Sequence, residues 1–234
     1  IAPLINSSGR MEDAIFSYEF LKAKDVNKAL EQLDYIVTLN EARKEEERLL
    51  FESTLSHVNE HANIIVAWGE EWHEGIVGIV ASRLSKRFKK PAIVFSIKDE
   101  RAKGSARGVG DVDILDLIRS QEEMLLGYGG HKGAAGVSIE VKHLERFKHN
   151  LEEASLKFTK EELEADNDLL GEITADQIDF ELLEILENQE PYGQKNPKPS
   201  FLLRNIPVKV DRLIGKDGQH LKLILQDANN ALEA

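Results

Sequence analysis

Between residues 63 and 158 the chain alternates short runs rich in β-branched residues with segments whose apolar residues recur at helical spacing, and this alternation limits the fold more than any other feature. Residues 63–68, NIIVAW, read as a buried strand. In 75–88, Ile76, Ile79, Val80 and Leu84 fall on one side of a helix, which Pro91 stops before a second strand at 92–97. A strand of small residues is expected at 104–109, a helix at 113–126, a strand at 135–140 and a helix at 144–158. Strands interleaved with helices imply an α/β domain over 63–158.

The flanks read differently. After a Pro-containing start, Ala14, Phe16, Phe20 and Leu21 are spaced for one apolar helical face, and Ala29, Leu30 and Leu33 repeat it. From 39 to about 60 runs a long polar helix with charges at i,i+4 separations, suited to bridging two domains. Acidic residues at 159–168 suggest a linker. A second domain over 159–234 is expected to hold a strand at 169–173, a helix at 180–186, a Pro-dense connector, and strands at 201–214 and 220–225 joined at Lys216-Asp217-Gly218. Three strands are few for a closed sheet, so this domain reads as a truncated β-barrel.

The formal net charge is −12, which by itself argues against a nucleic-acid partner. The charge is localised, however. Residues 151–190 hold 14 acids and 2 lysines, while 83–107 hold nine Lys or Arg against two acids. A local basic stripe attracts phosphates whatever the total, although a solvated helix face has the same composition. The absence of cysteine excludes disulfides and thiolate metal sites and fits a reducing cytoplasm. No apolar run approaches the roughly 20 residues of a membrane helix, so no membrane association is expected, and the Ile1-Ala2-Pro3 start lacks the features of a targeting peptide.

Several clusters bear on chemistry. In Gly104-Ser105-Ala106-Arg107-Gly108 a hydroxyl and a guanidinium two residues apart share one face of a strand, a fork and a neutral donor for phosphate; a surface strand with a solvated Arg is the alternative. Tyr128-Gly129-Gly130-His131, followed by Gly133 to Gly136, suggests a tight turn whose N–H groups cradle an anion, with His131 as donor or proton relay. Asn6-Ser7-Ser8-Gly9-Arg10 combines short donors with an Arg just ahead of an expected helix N-terminus, or makes an ordinary cap. His73 and Glu74 lead the helix at 75 and are read as caps before ligands. His57 and His61 have i,i+4 spacing but no evident third metal ligand. No GxxxxGK[ST] or HExxH motif is present, so the residues offer phosphate-binding groups without an evident catalytic engine.

Taken together, NSSGRMEDA at 6–14, WHEGIVGIVASRLSKRFKKPAIVF at 72–95, KGSARG at 103–108, GYGGHKGAAG at 127–136 and EPYGQKNPKPSF at 190–201 resemble, in order and spacing, the RecJ-type exonucleases of the DHH phosphoesterase superfamily. The resemblance implies the end of a DHH domain plus connector helix at 1–62, a DHH-associated α/β domain with a central mixed sheet at 63–158, and a linker and partial OB-fold at 159–234. It implies 5′-to-3′ digestion of single-stranded DNA in repair and recombination, with Mn²⁺ or Mg²⁺ held by an N-terminal domain whose motifs this chain lacks. On that reading the chain is inactive alone and holds no metal. Single-stranded DNA with a 5′ end is the partner, with a single-strand-binding protein or helicase as further partners. Asn6, Arg10, Ser105, Arg107, Gly129, Gly130 and His131 match substrate-binding positions: Arg10, Ser105 and Arg107 for the terminal phosphate, and His131, as the catalytic residue, for the scissile one. Ser7 and Ser8 stand where alanines are more usual. Tyr192, Lys195, Lys198, Phe201, Arg204 and Lys209 are candidates for the second domain's groove. The alternative within the superfamily is a phosphodiesterase for short oligonucleotides or cyclic dinucleotides, which would lack an OB-fold after residue 165.

Overall fold

The computed structural model describes residues 1–59, 61–164, 169–193, 196–215, 218–226 and 231–233. The chain divides into two compact units, Ile1–Ala165 and Asp166–Ala234. The first opens with α1 (Ala2–Met11) and α2 (Ile15–Lys22). Pro3 lies in the first turn of α1, where its missing N–H has no intrahelical partner to lose. The segment Asn6–Arg10 is therefore inside a helix and not ahead of one.

The helix α3 (Val26–Thr54) follows, with Asp25 capping its start by accepting from the Lys28 N–H at 3.0 Å. Its 29 residues span about 43 Å. The two helical segments expected around 29–33 and 39–60 are one helix. It stops at Thr54, short of the expected end, and tightens into a 3₁₀ turn at Leu55–His57. Both α1 and α2 pack on α3, as does the helix described next, α4.

The sheet comprises β1 (Ile65–Glu70), β2 (Ala92–Lys98), β3 (Arg101–Arg107), β4 (Leu125–His131) and β5 (Ala134–Glu140), in the order β1-β2-β3-β5-β4. Strands β1 and β2 are parallel and joined through α4 (Glu74–Phe88); the other pairs are antiparallel. This is the mixed sheet expected. Three helices complete the unit: α5 (Ile114–Arg119), α6 (Leu144–Ser155) and α7 (Lys160–Leu163).

Strand alternation splits the apolar residues between the two faces. On one face Val66, Ile93, Phe95, Ala102, Ala106, Val137 and Ile139 pack against Ile114 and Ile118 of α5 and Leu144, Phe147 and Leu151 of α6. On the other, Ile65, Ala92 and Val94 pack against Ile76, Val77, Val80 and Leu84 of α4, backed by Leu50 and Phe51 of α3. That second cluster stops at β2. Beyond β3, at Gly136, Gly129 and Gly127, the second face lies exposed.

The helix expected at 113–126 ends at Arg119; Glu122–Met124 form a 3₁₀ turn, and Leu125 and Leu126 join GYGGH in β4. Its residues pair with β5 from Gly127↔Ser138 to His131↔Ala134, and the hairpin turns at Lys132 and Gly133. The glycines read as a turn are strand residues.

In the second unit β6 (Leu169–Glu172) pairs in parallel with β7 (Ser200–Leu202), and α8 (Phe180–Glu187) is capped by Asp179. Strands β8 (Val208–Ile214), β9 (His220–Gln226) and β10 (Ala231–Glu233) form an antiparallel sheet in the order β10-β9-β8. The expected strand 201–214 is broken between β7 and β8, where Asn205 adopts φ +54° and Pro207 offers no ladder donor. The described strands do not close into a barrel.

Candidate functional site

The bare half of the second face is a small grid. Residues paired across an antiparallel ladder point to the same side, so three rows run from β3 through β5 to β4: Lys103–Ser138–Gly127, Ser105–Gly136–Gly129 and Arg107–Ala134–His131. A Cβ placed on Gly127 or Gly129 would meet nothing within 4 Å, and one on Gly136 would only touch the Gly129 carbonyl oxygen at 4.0 Å. The floor is thus peptide backbone, open to close approach by a ligand. Gly130 differs. A Cβ there would lie 2.3 Å from the Ala134 carbonyl oxygen, and its φ is +151°, so the hairpin itself requires glycine.

The candidate side chains stand around this floor. Arg107 Nη1 donates to Ser105 Oγ at 2.9 Å and to the Ala106 carbonyl at 2.7 Å, which fixes the guanidinium over its own strand. On the opposite edge His131 Nδ1 accepts from the Gly133 N–H at 3.2 Å; the neutral ring then carries its proton on Nε2, free to donate outward. Helix α4 walls the β3 side. Its Gly78 lies so close that a Cβ would be 3.0 Å from Ser105 Oγ and 3.1 Å from Arg107 Nη2.

Arg10 arrives from α1. Its Nη1 donates to the Gly75 carbonyl at 3.1 Å, and its own carbonyl oxygen sits 2.0 Å from where a Gly75 Cβ would be. His73 completes the clasp: Nδ1 accepts from the Gly75 N–H at 3.1 Å, capping α4, and Nε2 lies 3.2 Å from the Met11 carbonyl. The capping reading of His73 holds, with a second bond to α1 added. Burial, and then the charge of Arg10, push the Arg107 pKa below its ordinary value. Two guanidiniums held near one another with donors beside them make a site that an anion of charge −2 would stabilise. Asn6, one turn before Arg10 on α1, is exposed.

Residues 61–156 match the DHHA1 domain and residues 171–234 the RecJ OB domain. Curated relatives called single-stranded-DNA-specific exonuclease RecJ align over nearly the whole chain: 33% identity for that of Thermus thermophilus and 30% for that of Haemophilus influenzae, each over 97% of this chain. The chain belongs to the RecJ family. It spans 33% and 41% of the length of those two relatives. The solved structure of RecJ from Thermus thermophilus in complex with Mg²⁺ superposes with a TM-score of 0.83 at 28% identity, covering 99% of this chain and 36% of that one. A RecJ structure bound to manganese gives 0.63 at 29% identity, over 68% of this chain and 40% of that one. The match to a RecJ OB domain after residue 165 sets this chain apart from the oligonucleotide phosphodiesterase alternative.

Relatives of this RecJ-family chain thus crystallise with divalent metals, but among the described residues no group of three or more His, Asp or Glu side chains is placed to hold one. The pair His57 and His61 is not a helical i,i+4 pair, because α3 has already ended: His57 packs edge-on against Trp68 and Trp72, at centroid distances of 5.7 and 6.2 Å. Ser7 and Ser8 are buried and structural; Ser8 Oγ donates to Ser17 Oγ at 2.7 Å. In the second unit Tyr192 Oη donates to the Leu186 carbonyl at 2.5 Å, Phe201 is half-buried, Arg204 pairs with Glu172 at 2.9 Å, and Lys198 and Lys209 are exposed. Lys195 lies outside the described residues. Sequence reasoning left out Lys103, Gly78 and Gly75. The alternation Lys103, Ser105, Arg107 signals the first; the close approaches that demand the two glycines have no local sequence signature.

Proposed function

We propose that this chain is the substrate-holding part of a 5′-to-3′ single-stranded-DNA-specific exonuclease of DNA repair and recombination. The observation that carries the reading is the convergence of Arg10, Ser105, Arg107 and His131 around one glycine-floored sheet face. Arg10, Arg107 and Ser105 grip the terminal 5′ phosphate, which gives digestion its polarity. His131 donates through Nε2 to the scissile phosphate and offsets charge that grows there. Gly129 lets the sugar-phosphate backbone lie against β4, Gly130 holds the turn that presents His131, and Asn6 lines the edge beside Arg10. Residues 1–62 carry the end of a catalytic domain and the connector helix, 63–158 the grip, and 159–234 a single-strand-binding OB domain.

On this reading the Mn²⁺ or Mg²⁺ that relatives contain is held by ligands elsewhere in a longer polypeptide, and the 234-residue chain alone is expected to hydrolyse nothing. A single-strand-binding protein or helicase as partner, and a cytoplasmic place of work, belong to the same proposal for the longer polypeptide. Fluorescence anisotropy with matched oligonucleotides tests the grip: the chain should prefer 5′-phosphorylated over 5′-hydroxyl strands, and Arg107→Ala should erase the preference. Equal losses on both strands would refute the clamp.

A further inference from the structure

The 5′-phosphate grip leaves Lys103 unused, and the other cation on this side of β3, Arg101, stands opposite Glu140. Lys103 lies two residues before Ser105 on β3, so its side chain leaves the sheet on the same side as Ser105 and Arg107. In register it lines up with Ser138 on β5 and Gly127 on β4. This row repeats the make-up of the one beside it: a donor on β3, a small residue on β5, and a glycine on β4 over which a Cβ would meet nothing within 4 Å. The register of β4 on β5 shifts between Leu125 and Gly127, an irregularity that glycine suits, and the face above Gly127 stays open. The two rows are about 6.7 Å apart along the strands, close to the spacing of neighbouring phosphates in an extended single strand.

We propose that Lys103, Ser138 and Gly127 form a second phosphate subsite. Lys103 Nζ and Ser138 Oγ hold a backbone phosphate adjacent to the one gripped at Ser105 and Arg107, while Gly127 leaves room for the sugar. The inference rests on the reading of this face as a nucleic-acid grip and adds a residue and a counter-charge to it. The counter-charge is Glu74, in the first turn of α4, whose carboxylate lies 3.1 Å from Lys103 Nζ. Both side chains are largely exposed, at 64% for Lys103 and 48% for Glu74, and exposed pairs of this kind are weakly held. Glu74 therefore holds Lys103 in place on the empty face and gives it up when a phosphate arrives. The plainer role for the pair is a tie between β3 and α4.

The two roles separate by exchanging the charges. Titrations of the 234-residue chain would use a 5′-phosphorylated mononucleotide, which offers one phosphate, and the corresponding dinucleotide, which offers two. Lys103→Ala should leave the mononucleotide affinity unchanged, remove the extra affinity of the dinucleotide, and lower the salt dependence of dinucleotide binding by about 0.7 in log–log slope. Glu74→Gln should tighten the dinucleotide several-fold. The double variant Glu74→Lys with Lys103→Glu restores the ion pair; it should restore any lost thermal stability and still lack the dinucleotide gain. The subsite is overturned if Lys103→Ala or the charge exchange keeps the full gain and slope. Arg107→Ala on the same ligands keeps the two readings apart. If it does not weaken the mononucleotide, the grip itself is wrong; if it does while Lys103→Ala changes nothing, only the second subsite fails.

Discussion

On a single face of the five-stranded sheet, β1 and β2 turn Ile65, Ala92 and Val94 into a cluster sealed by α4, while β5 and β4 leave Gly136, Gly129 and His131 exposed, and β3 sets the half-buried Ser105 and Arg107 at the rim of α4 with Lys103 exposed beside them. The backbone scaffold is continuous across both halves. The side chains that buried strands need have been removed from the second half and replaced by glycines and a few polar groups. Stability and recognition are thus divided along the strand order: β1–β2 with α4 stabilise the unit, and β3–β5–β4 spend that stability on an accessible floor.

The comparison can be broken most forcefully from the sealed side. Leu84→Ala removes a fully buried side chain of α4 and should destabilise the chain by about 3 kcal/mol in urea unfolding, while the molecules that remain folded bind 5′-phosphorylated strand as before. A loss of binding larger than the loss of folded protein would mean the halves are not separable. On the bare side, Arg107→Ala should weaken 5′-phosphate binding by about 2 kcal/mol in anisotropy titrations, since a hydrogen-bonded charge is lost. Its unfolding free energy should move by less than about 1 kcal/mol. Gly129→Val sharpens the contrast further. No atom stands where the new side chain would begin, and valine suits a strand, so stability should hold or rise by up to about 1 kcal/mol while strand binding is lost. Destabilisation by that substitution would show that the glycine serves the fold.

The smallest effect is one of pH. Burial first, and then the charge of Lys148, lower the pKa of His57. A histidine with a folded-state pKa below its unfolded value binds fewer protons folded than unfolded between the two values, so its contribution is full above the unfolded value near 6.5 and is lost as pH falls from there through the folded value. The thermal midpoint should dip slightly on acidification from pH 7.5 to pH 5.5, and His57→Gln should flatten that dip. His57 touches β1 through Trp68 and has no place on the bare face, so 5′-phosphate selectivity in the variant should not change.

The strands of the sealed half were readable because β-branched runs such as NIIVAW announce themselves locally. The bare half was readable in chemistry but not in conformation. Ser105, Arg107 and His131 are phosphate-binding residue types on sequence alone, yet GYGGH reads as a turn because glycine density is a turn signal, whereas its strand state comes from pairing with residues 134–138. Likewise α3 read as two segments because its apolar residues serve different neighbours along its length, α1 and α2 first and α4 later. Asn6–Arg10 looked like a cap through its Ser-Ser-Gly composition; burial of Ser7 and Ser8 against α3 and α2 overrides that preference.

Gly75 has a mechanical meaning. The Arg10 carbonyl occupies the space where any other residue at position 75 would carry its first side-chain carbon. A single added methyl would act as a wedge between the end of α1 and the start of α4. It would spread α1, which carries Arg10, from α4 and from the strand β3 under α4, which carries Arg107, so the bite of this vice is calibrated by a missing atom.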